Sequence, residues 1–340
     1  MIRFVRKVSA YLIFVLCVVL IPAYAIDPFN VFHWDHIRNN GIEPNKNYIK
    51  TKYIVRNPDL FEGFIFGSSR VSAIHPERIT GERVYNMTCS RGVPAEHLET
   101  LRSMIRAKVN VKTVYIGLDS LSYTEDARSH YGTTLRTSYQ DLQDPDTFFT
   151  VYMHPKENLY SLMAIRDKRD KVVWRGYDTF YSAGWDLDYE QPSFYDWTAA
   201  EVVIGEDDRM EETLEEIREI KELCDSRGIK LVIWTNPMYK LTYDVSLERD
   251  YLLFLRRLAD VTAYYNFSGL NDITVDADCY FDTSHYRAEI GDMILDTVCC
   301  GARYDGLYEQ GFGWYVTEEN ADALIDLLER QLQDGEQPPT

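Results

Sequence analysis

The sequence predicts an α/β fold in which helices cover both faces of a mostly parallel sheet, preceded by one N-terminal transmembrane helix. Two observations support this prediction. Beyond residue 60, short apolar runs alternate with amphipathic segments, as in βαβ units. At the start of the chain, an uncharged stretch from Val8 to Ile26 follows the basic residues Arg3, Arg6 and Lys7.

The uncharged stretch, VSAYLIFVLCVVLIPAYAI, is just long enough to cross a bilayer as a helix, since about 20 residues span the ~30 Å hydrocarbon core. The basic residues before it should stay cytoplasmic, which places the rest of the chain outside. A cleaved signal peptide is the alternative, because Ala23-Tyr24-Ala25 resembles a small-residue cleavage site, and cleavage near Ala25 would give a secreted protein. We expect a retained anchor over residues 1–27 and an extracytoplasmic domain over 28–340, since the stretch is long for a signal peptide.

Composition excludes several classes of function. The formal net charge of −18 argues against nucleic acid, whose backbone requires a basic surface. No Gly-rich phosphate loop is present, so nothing supports nucleotide chemistry. Five cysteines follow the anchor without any CxxC spacing, so neither a zinc site nor a complete disulfide framework is indicated, and their pairing stays open. We therefore expect neither a cofactor nor a metal.

The elements follow from the apolar pattern. Strands are predicted at 61–67, 83–87, 113–118, 229–235 and 261–267. Helices are predicted at 94–108, with Pro94 near the first position, at 208–227, ended by Gly228, and after His285, ended by Cys299-Cys300. Between about 122 and 207 this alternation of strands and helices is interrupted, and the chain is rich in Tyr, Trp, Asp and Arg. This insertion is either a functional lid or subdomain, or a structural elaboration with an aromatic core of its own.

The first predicted strand ends at Gly67-Ser68-Ser69-Arg70, and a serine in such a turn is more often a helix cap than a nucleophile. A nucleophile needs a base and a group that orients the base. Asp282-Thr283-Ser284-His285, just ahead of a predicted helix, provides both, with Nδ1 of His285 facing Asp282 and Nε2 facing a serine. In open α/β sheets, ligands bind beyond the carboxyl ends of strands, where the serines, residues 89–92, Asp119 and Asn236 are all predicted to lie.

Together these blocks resemble the SGNH (GDSL-like) hydrolase superfamily. They are most similar to its membrane-anchored members with a GSS turn, which include the D-alanyl transfer protein of teichoic acids and alginate O-acetyltransferases. The resemblance implies a three-layer, flavodoxin-like fold with Ser69 as the nucleophile and Asp282 and His285 as its catalytic partners. It maps the second block to Gly92 and the third to Asp119, and we place Arg70 with them among the candidate oxyanion and substrate residues.

One position departs from the family pattern. Asp119 stands where the family has an asparagine that donates to the oxyanion, and an ionised carboxylate can only accept. The oxyanion hole would then depend on the N–H groups of Ser69 and Gly92. Alternatively, Asp119 is protonated or orients a donor.

The resemblance implies an extracytoplasmic serine esterase or O-acyltransferase that forms an acyl-Ser69 intermediate. Its substrate would be an acylated cell-surface glycan or polymer, and its partner a membrane-bound O-acyltransferase. The alternative is a non-catalytic envelope scaffold or glycan-binding protein with the same fold. The acyl group, the acceptor and the balance between hydrolysis and transfer stay open at this stage.

Overall fold

The computed structural model describes residues 1–32, 44–153 and 204–335, together with 156, 159 and 202. Within these residues, six strands form one sheet: β1 (Gly63–Gly67), β2 (Val84–Asn86), β3 (Thr113–Leu118), β4 (Lys230–Thr235), β5 (Tyr264–Asn266) and β6 (Trp314–Val316). The strand order is β2-β1-β3-β4-β5-β6. The first five strands pair in parallel and β6 pairs antiparallel with β5. The predicted mostly parallel α/β sheet is confirmed, and β6 is an addition that the sequence did not predict.

The helices of the described residues are α1 (Ile2–Ile26), α2 (Lys46–Arg56), α3 (Pro94–Arg106), α4 (Leu121–Thr124), α5 (Pro145–Tyr152), α6 (Met210–Arg227), α7 (Lys240–Leu247), α8 (Tyr251–Val261), α9 (Ala288–Cys300), α10 (Asp305–Tyr308) and α11 (Ala321–Gly335). The predictions of α3, α6 and α9 are confirmed. The insertion predicted for about 122–207 is described only up to residue 153 and from 204 onward. The rest of that prediction lies outside the described residues.

The sheet separates two hydrophobic cores. Successive side chains of a strand point to opposite faces. Phe64 and Phe66 of β1 accordingly belong to one core and Ile65 to the other. The first core contains residues of α3, α6, α8 and α11, and the second contains residues of α9. The carboxyl ends of the parallel strands are thus held between two packed layers of side chains.

Two glycines allow a short 3₁₀ turn, Ser69–Ala73, to fold against the ends of β1 and β3. Gly67 and Gly117 are register partners on these strands. A Cβ at Gly67 would lie 2.7 Å from a methyl group of Val71, and a Cβ at Gly117 would also collide with Val71. Glycine at both positions therefore lets the turn approach the sheet closely.

Helix α1 is long and apolar enough to cross a membrane. The segment that follows it, residues 27–32, packs into the domain. Asp27 accepts hydrogen bonds from the N–H groups of Val31 at 2.8 Å and Phe32 at 3.0 Å. Phe29 and Val31 are buried in a third cluster that also contains Leu142 and residues of α2 and α5. The chain therefore joins the folded domain directly after the apolar helix.

All six cysteines lie in the described part of the chain, and each carries a free thiol. Cys89 and Cys224 are buried in the fold, and Cys299 and Cys300 lie exposed at the end of α9. The structure thus contains no disulfide between the described cysteines.

Candidate active site

Ser69, His285 and Asp282 form a continuous hydrogen-bond chain. The Oγ of Ser69 lies 2.9 Å from Nε2 of His285. The Nδ1 of His285 lies 2.8 Å from Oδ2 and 2.9 Å from Oδ1 of Asp282. This is the arrangement of a nucleophile, its base and the acid that orients the base. The structure brings the three residues together in the predicted order, and their catalytic role stays a prediction.

Asp282 is well suited to hold the imidazole. Its Oδ1 also accepts hydrogen bonds from the N–H groups of Ser284 at 2.7 Å and His285 at 2.9 Å. Burial alone would raise the pKa of Asp282, but the hydrogen bond and charge of His285, aided by the two backbone donors, lower it below its ordinary value. The carboxylate therefore stays ionised near neutral pH. It favours the tautomer of His285 that carries its proton on Nδ1 and presents Nε2 to Ser69 as an acceptor.

The loop that carries the Asp-x-x-His block is fixed from both sides. An antiparallel bridge joins Tyr280 to Tyr286. The buried hydroxyl of Tyr280 donates to the carbonyl of Pro237 at 3.0 Å. From α7, the hydroxyl of Thr242 donates to the carbonyl of Thr283 at 2.5 Å. The segment after β4 therefore sets where the histidine lies.

The two serines of the GSS turn have different surroundings. Ser68 is buried, and its hydroxyl accepts the N–H of Arg70 at 3.3 Å and donates to Oδ2 of Asp119 at 3.0 Å. It caps the 3₁₀ turn. Ser69 is partly exposed and meets His285. The two roles that the sequence left as alternatives are thus divided between adjacent residues, with Ser68 as the cap and Ser69 facing the histidine.

Asp119 and Arg70 lie behind the turn, and each is only 1% exposed. Oδ1 of Asp119 accepts from Nη1 of Arg70 at 2.5 Å and from the N–H of Leu121 at 2.9 Å. Its Oδ2 accepts from the Ser68 hydroxyl and from Nδ2 of Asn236 at 3.1 Å. Asp119 and Arg70 thus pair with each other behind the turn, and their role toward an oxyanion or a substrate stays a prediction. The carboxylate is buried, and its oxygens are already occupied by four donors.

Gly92 lies beside the turn, because a Cβ there would come 2.8 Å from the carbonyl oxygen of Gly67. Its N–H donates to the carbonyl of Cys89 at 3.3 Å. The N–H of Ser69 stands at the first position of the 3₁₀ turn, where N–H groups have no acceptor within the helix. Of the two expected oxyanion donors, that of Ser69 is therefore suitably placed, whereas that of Gly92 is engaged within its own loop.

A buried lysine that the sequence did not indicate supports this loop. Nζ of Lys50 donates to the carbonyl of Thr88 at 2.8 Å, and the Thr88 hydroxyl donates to the carbonyl of Ser68 at 2.6 Å. Burial, and then the charge of Lys46, lower the pKa of Lys50 well below its ordinary value. In the sequence, the four-residue spacing of Lys46 and Lys50 indicates only that the two lysines share a helix face. It does not indicate that this face is buried.

A second buried polar network adjoins Gly92. His130 lies between Glu96, at 2.9 Å, and Glu125, at 3.2 Å. Burial alone would lower the pKa of His130, but hydrogen bonds and charges of the two carboxylates raise it to about 9. Arg91 adopts a left-handed φ of 53° and pairs with Glu125 at 2.5 Å. The residue before Gly92 is therefore held to the segment that follows α4.

Comparison with known proteins finds no protein-family model and no curated protein that matches this chain. The function therefore has to be inferred from the site and the sequence blocks themselves. Together they offer a Ser–His–Asp hydrogen-bond chain at the carboxyl edge of a parallel sheet, the edge where α/β proteins bind their ligands.

Proposed function

We propose that the protein is an SGNH-like serine esterase or O-acyltransferase that acts outside the cytoplasm through an acyl-Ser69 intermediate. The observation that supports this most strongly is the hydrogen-bond chain from Ser69 through His285 to Asp282. The fold agrees with it, because the order of the first five strands is the flavodoxin-like order and a hydrophobic core lies on each face of the sheet. We therefore propose the three-layer arrangement of that superfamily.

In the first half of the proposed reaction, Oγ of Ser69 attacks the carbonyl carbon of an acyl ester and its proton passes to Nε2 of His285. Asp282 stabilises the imidazolium through the proton on Nδ1. The oxyanion accepts a hydrogen bond from the N–H of Ser69. It accepts a second one from the N–H of Gly92 after that N–H has left the Cys89 carbonyl. His285 then gives its proton to the leaving alcohol as the bond between the acyl carbon and the alcohol oxygen breaks, which leaves acyl-Ser69.

In the second half, His285 removes a proton from water or from an acceptor hydroxyl, whose oxygen attacks the acyl carbon. The ester bond to Ser69 breaks, and Oγ regains its proton from His285. One oxyanion donor is worth about 10²- to 10³-fold in kcat. Because Asp119 supplies no such donor and Gly92 must first change its hydrogen bond, we expect slow hydrolysis of simple esters. This favours an acyl-enzyme that lasts until an acceptor binds.

The proposed substrate is an acylated cell-surface glycan or polymer, and the proposed partner is a membrane-bound O-acyltransferase. The length and apolar character of α1 support a membrane location. The basic residues Arg3, Arg6 and Lys7 favour a cytoplasmic N-terminus and an extracytoplasmic catalytic domain.

A fluorophosphonate probe tests the proposal on the full-length protein in detergent. We expect the probe to label Ser69, as located by peptide mass spectrometry, and expect Ser69→Ala and His285→Gln to lose the label. The control is Ser103→Ala, because Ser103 is a buried α3 serine whose hydroxyl accepts from Arg106. Incubation with p-nitrophenyl esters of different acyl chains, followed by intact mass measurement, identifies the acyl group. A folded wild-type protein that resists the probe would favour the non-catalytic scaffold instead.

A further inference from the structure

Both sequence neighbours of Ser69 bind the same carboxylate. The hydroxyl of Ser68 donates to Oδ2 of Asp119 at 3.0 Å, and Nη1 of Arg70 lies 2.5 Å from Oδ1. Ser69 lies between these two contacts, and its own hydroxyl meets His285. The backbone on either side of the serine is therefore held by a single side chain.

Asp119 is itself fixed by residues from other parts of the sheet edge. The N–H of Leu121, in the first turn of α4, donates to Oδ1 at 2.9 Å, and Nδ2 of Asn236, after β4, donates to Oδ2 at 3.1 Å. Asn236 is oriented in turn by Nε1 of Trp234, which donates to its Oδ1 at 3.0 Å. The carboxylate thus joins the carboxyl ends of β1, β3 and β4.

The negative charge at position 119 is also required by its buried partners. Asp119 and Arg70 are each 1% exposed, and a buried charge is tolerated only with its partner. Because the pair is neutral as a whole, it does not oppose a developing oxyanion. An asparagine could not replace Asp119, since its amide nitrogen would face either Arg70 and Leu121 or Ser68 and Asn236, and three of these four groups can only donate here.

We propose that Asp119 is a positioning residue for the nucleophile. It holds Ser68 and Arg70 so that the N–H of Ser69 faces the oxyanion and its Oγ faces His285. The catalytic consequence rests on the proposed function, but the positioning itself does not. A displacement of about 1 Å in a reacting group can lower a rate about 10²-fold.

The kinetic test uses Asp119→Asn, Ser68→Ala and the double variant, with labelling rates expressed per folded molecule. We expect each single variant to label Ser69 about 10²-fold more slowly. The double variant should lose little more than either single one, because both changes remove the same support. Ser103→Ala should add nothing to either. With a p-nitrophenyl ester, kcat should fall while KM stays constant, and Ser68→Thr, which keeps the hydroxyl, should recover most of the rate.

A spectroscopic test is independent of activity. The imidazole ¹⁵N shifts of His285, assigned with His285→Gln, report its hydrogen bond to Ser69. In Asp119→Asn and Ser68→Ala we expect these shifts to match those of Ser69→Ala. If the wild-type protein neither labels nor hydrolyses esters, the proposed function fails, and this comparison still decides the role of Asp119.

Three results would overturn the positioning role. The first is a wild-type labelling rate together with wild-type His285 shifts in Ser68→Ala. This variant loses only one hydroxyl, so it tests the positioning role even if Asp119→Asn does not fold. The second is additive losses in the double variant. The third is faster ester hydrolysis by Asp119→Asn, which would mean that position 119 supplies an oxyanion donor.

Discussion

Gly291 lies directly against the carbonyl of Ala73, since a Cβ at position 291 would come 2.7 Å from that oxygen. Helix α9 therefore packs without a spacer on the 3₁₀ turn that begins at Ser69. Ile290 and Val71 belong to the same core on this face of the sheet. Because α9 directly follows the loop that carries His285, this contact and the segment after β4 together set the distance between the serine and its histidine.

The first prediction concerns this contact. Gly291→Ala should push α9 away from the turn, lower Tm and slow fluorophosphonate labelling about 10²-fold, the effect of a displacement of about 1 Å. The control is Gly306→Ala on α10, where a Cβ would meet no atom within 4 Å. Thermal melts and labelling rates check both variants. Wild-type values for Gly291→Ala would show that the helix and the turn adjust independently.

The second prediction concerns Asp282. Asp282→Asn should lower the labelling rate about 10⁴-fold, because an amide cannot hold His285 in the tautomer that accepts from Ser69. The folded pKa of Asp282 is lowered, so its ionised form stabilises the fold above the unfolded pKa, about 3.9, and this contribution is lost as pH falls through the folded value. The Tm difference between wild type and Asp282→Asn should be largest near neutral pH and shrink below about pH 4. A difference that stays constant down to pH 2 would contradict this.

The third prediction concerns His130, whose pKa is raised to about 9. Its charged form stabilises the fold fully below the unfolded value of about 6.5, and this contribution is lost as pH rises through the folded value. His130→Gln removes the cation beside Glu96, while Glu125 keeps Arg91, and should cost about 3 kcal/mol of unfolding free energy near pH 6. Denaturant unfolding of both proteins checks this, and the gap should narrow between pH 7 and pH 10. A gap that stays constant over that range would indicate that His130 is neutral in the folded protein.

The fourth prediction concerns membrane topology. A reporter fused after Thr340 should be active only when it functions outside the cytoplasm, and the protein should sediment with membranes. Both follow from an uncharged helix preceded by Arg3, Arg6 and Lys7. N-terminal sequencing distinguishes the alternatives, because a mature chain that begins at Ile26 would show that the apolar helix is a cleaved signal peptide.

The sequence predicted those parts of the site that follow from which residues stand at the ends of the strands. Ser69 and His285 are 216 positions apart. Both nevertheless belong to segments at the carboxyl edge of a parallel sheet, and parallel pairing brings such segments together whatever the sequence separation. The central strands could be recognised for a similar reason, because strands buried on both faces are continuous apolar runs.

The sequence could not predict features that depend on the direction and burial of side chains in the folded protein. The inward direction of Arg70 toward Asp119, and the burial of Lys50 in a helix with a polar sequence, are set by packing between distant segments. Strand β6 is only Trp314–Val316, too short for a periodic pattern. It exists because Tyr315 and its neighbours can pair with the exposed edge of β5.

The segment 27–32 determines how the domain is connected to α1. Phe29 and Val31 are buried against the domain, and Nζ of Lys52 donates to the carbonyl of Val31 at 2.5 Å, so the chain enters the fold directly after α1. If α1 is inserted in a bilayer, this packing holds the start of the domain at the end of the helix. Under the proposed function, an acyl donor or acceptor would then have to bring its reacting ester or hydroxyl to a domain that is held at the end of a membrane helix.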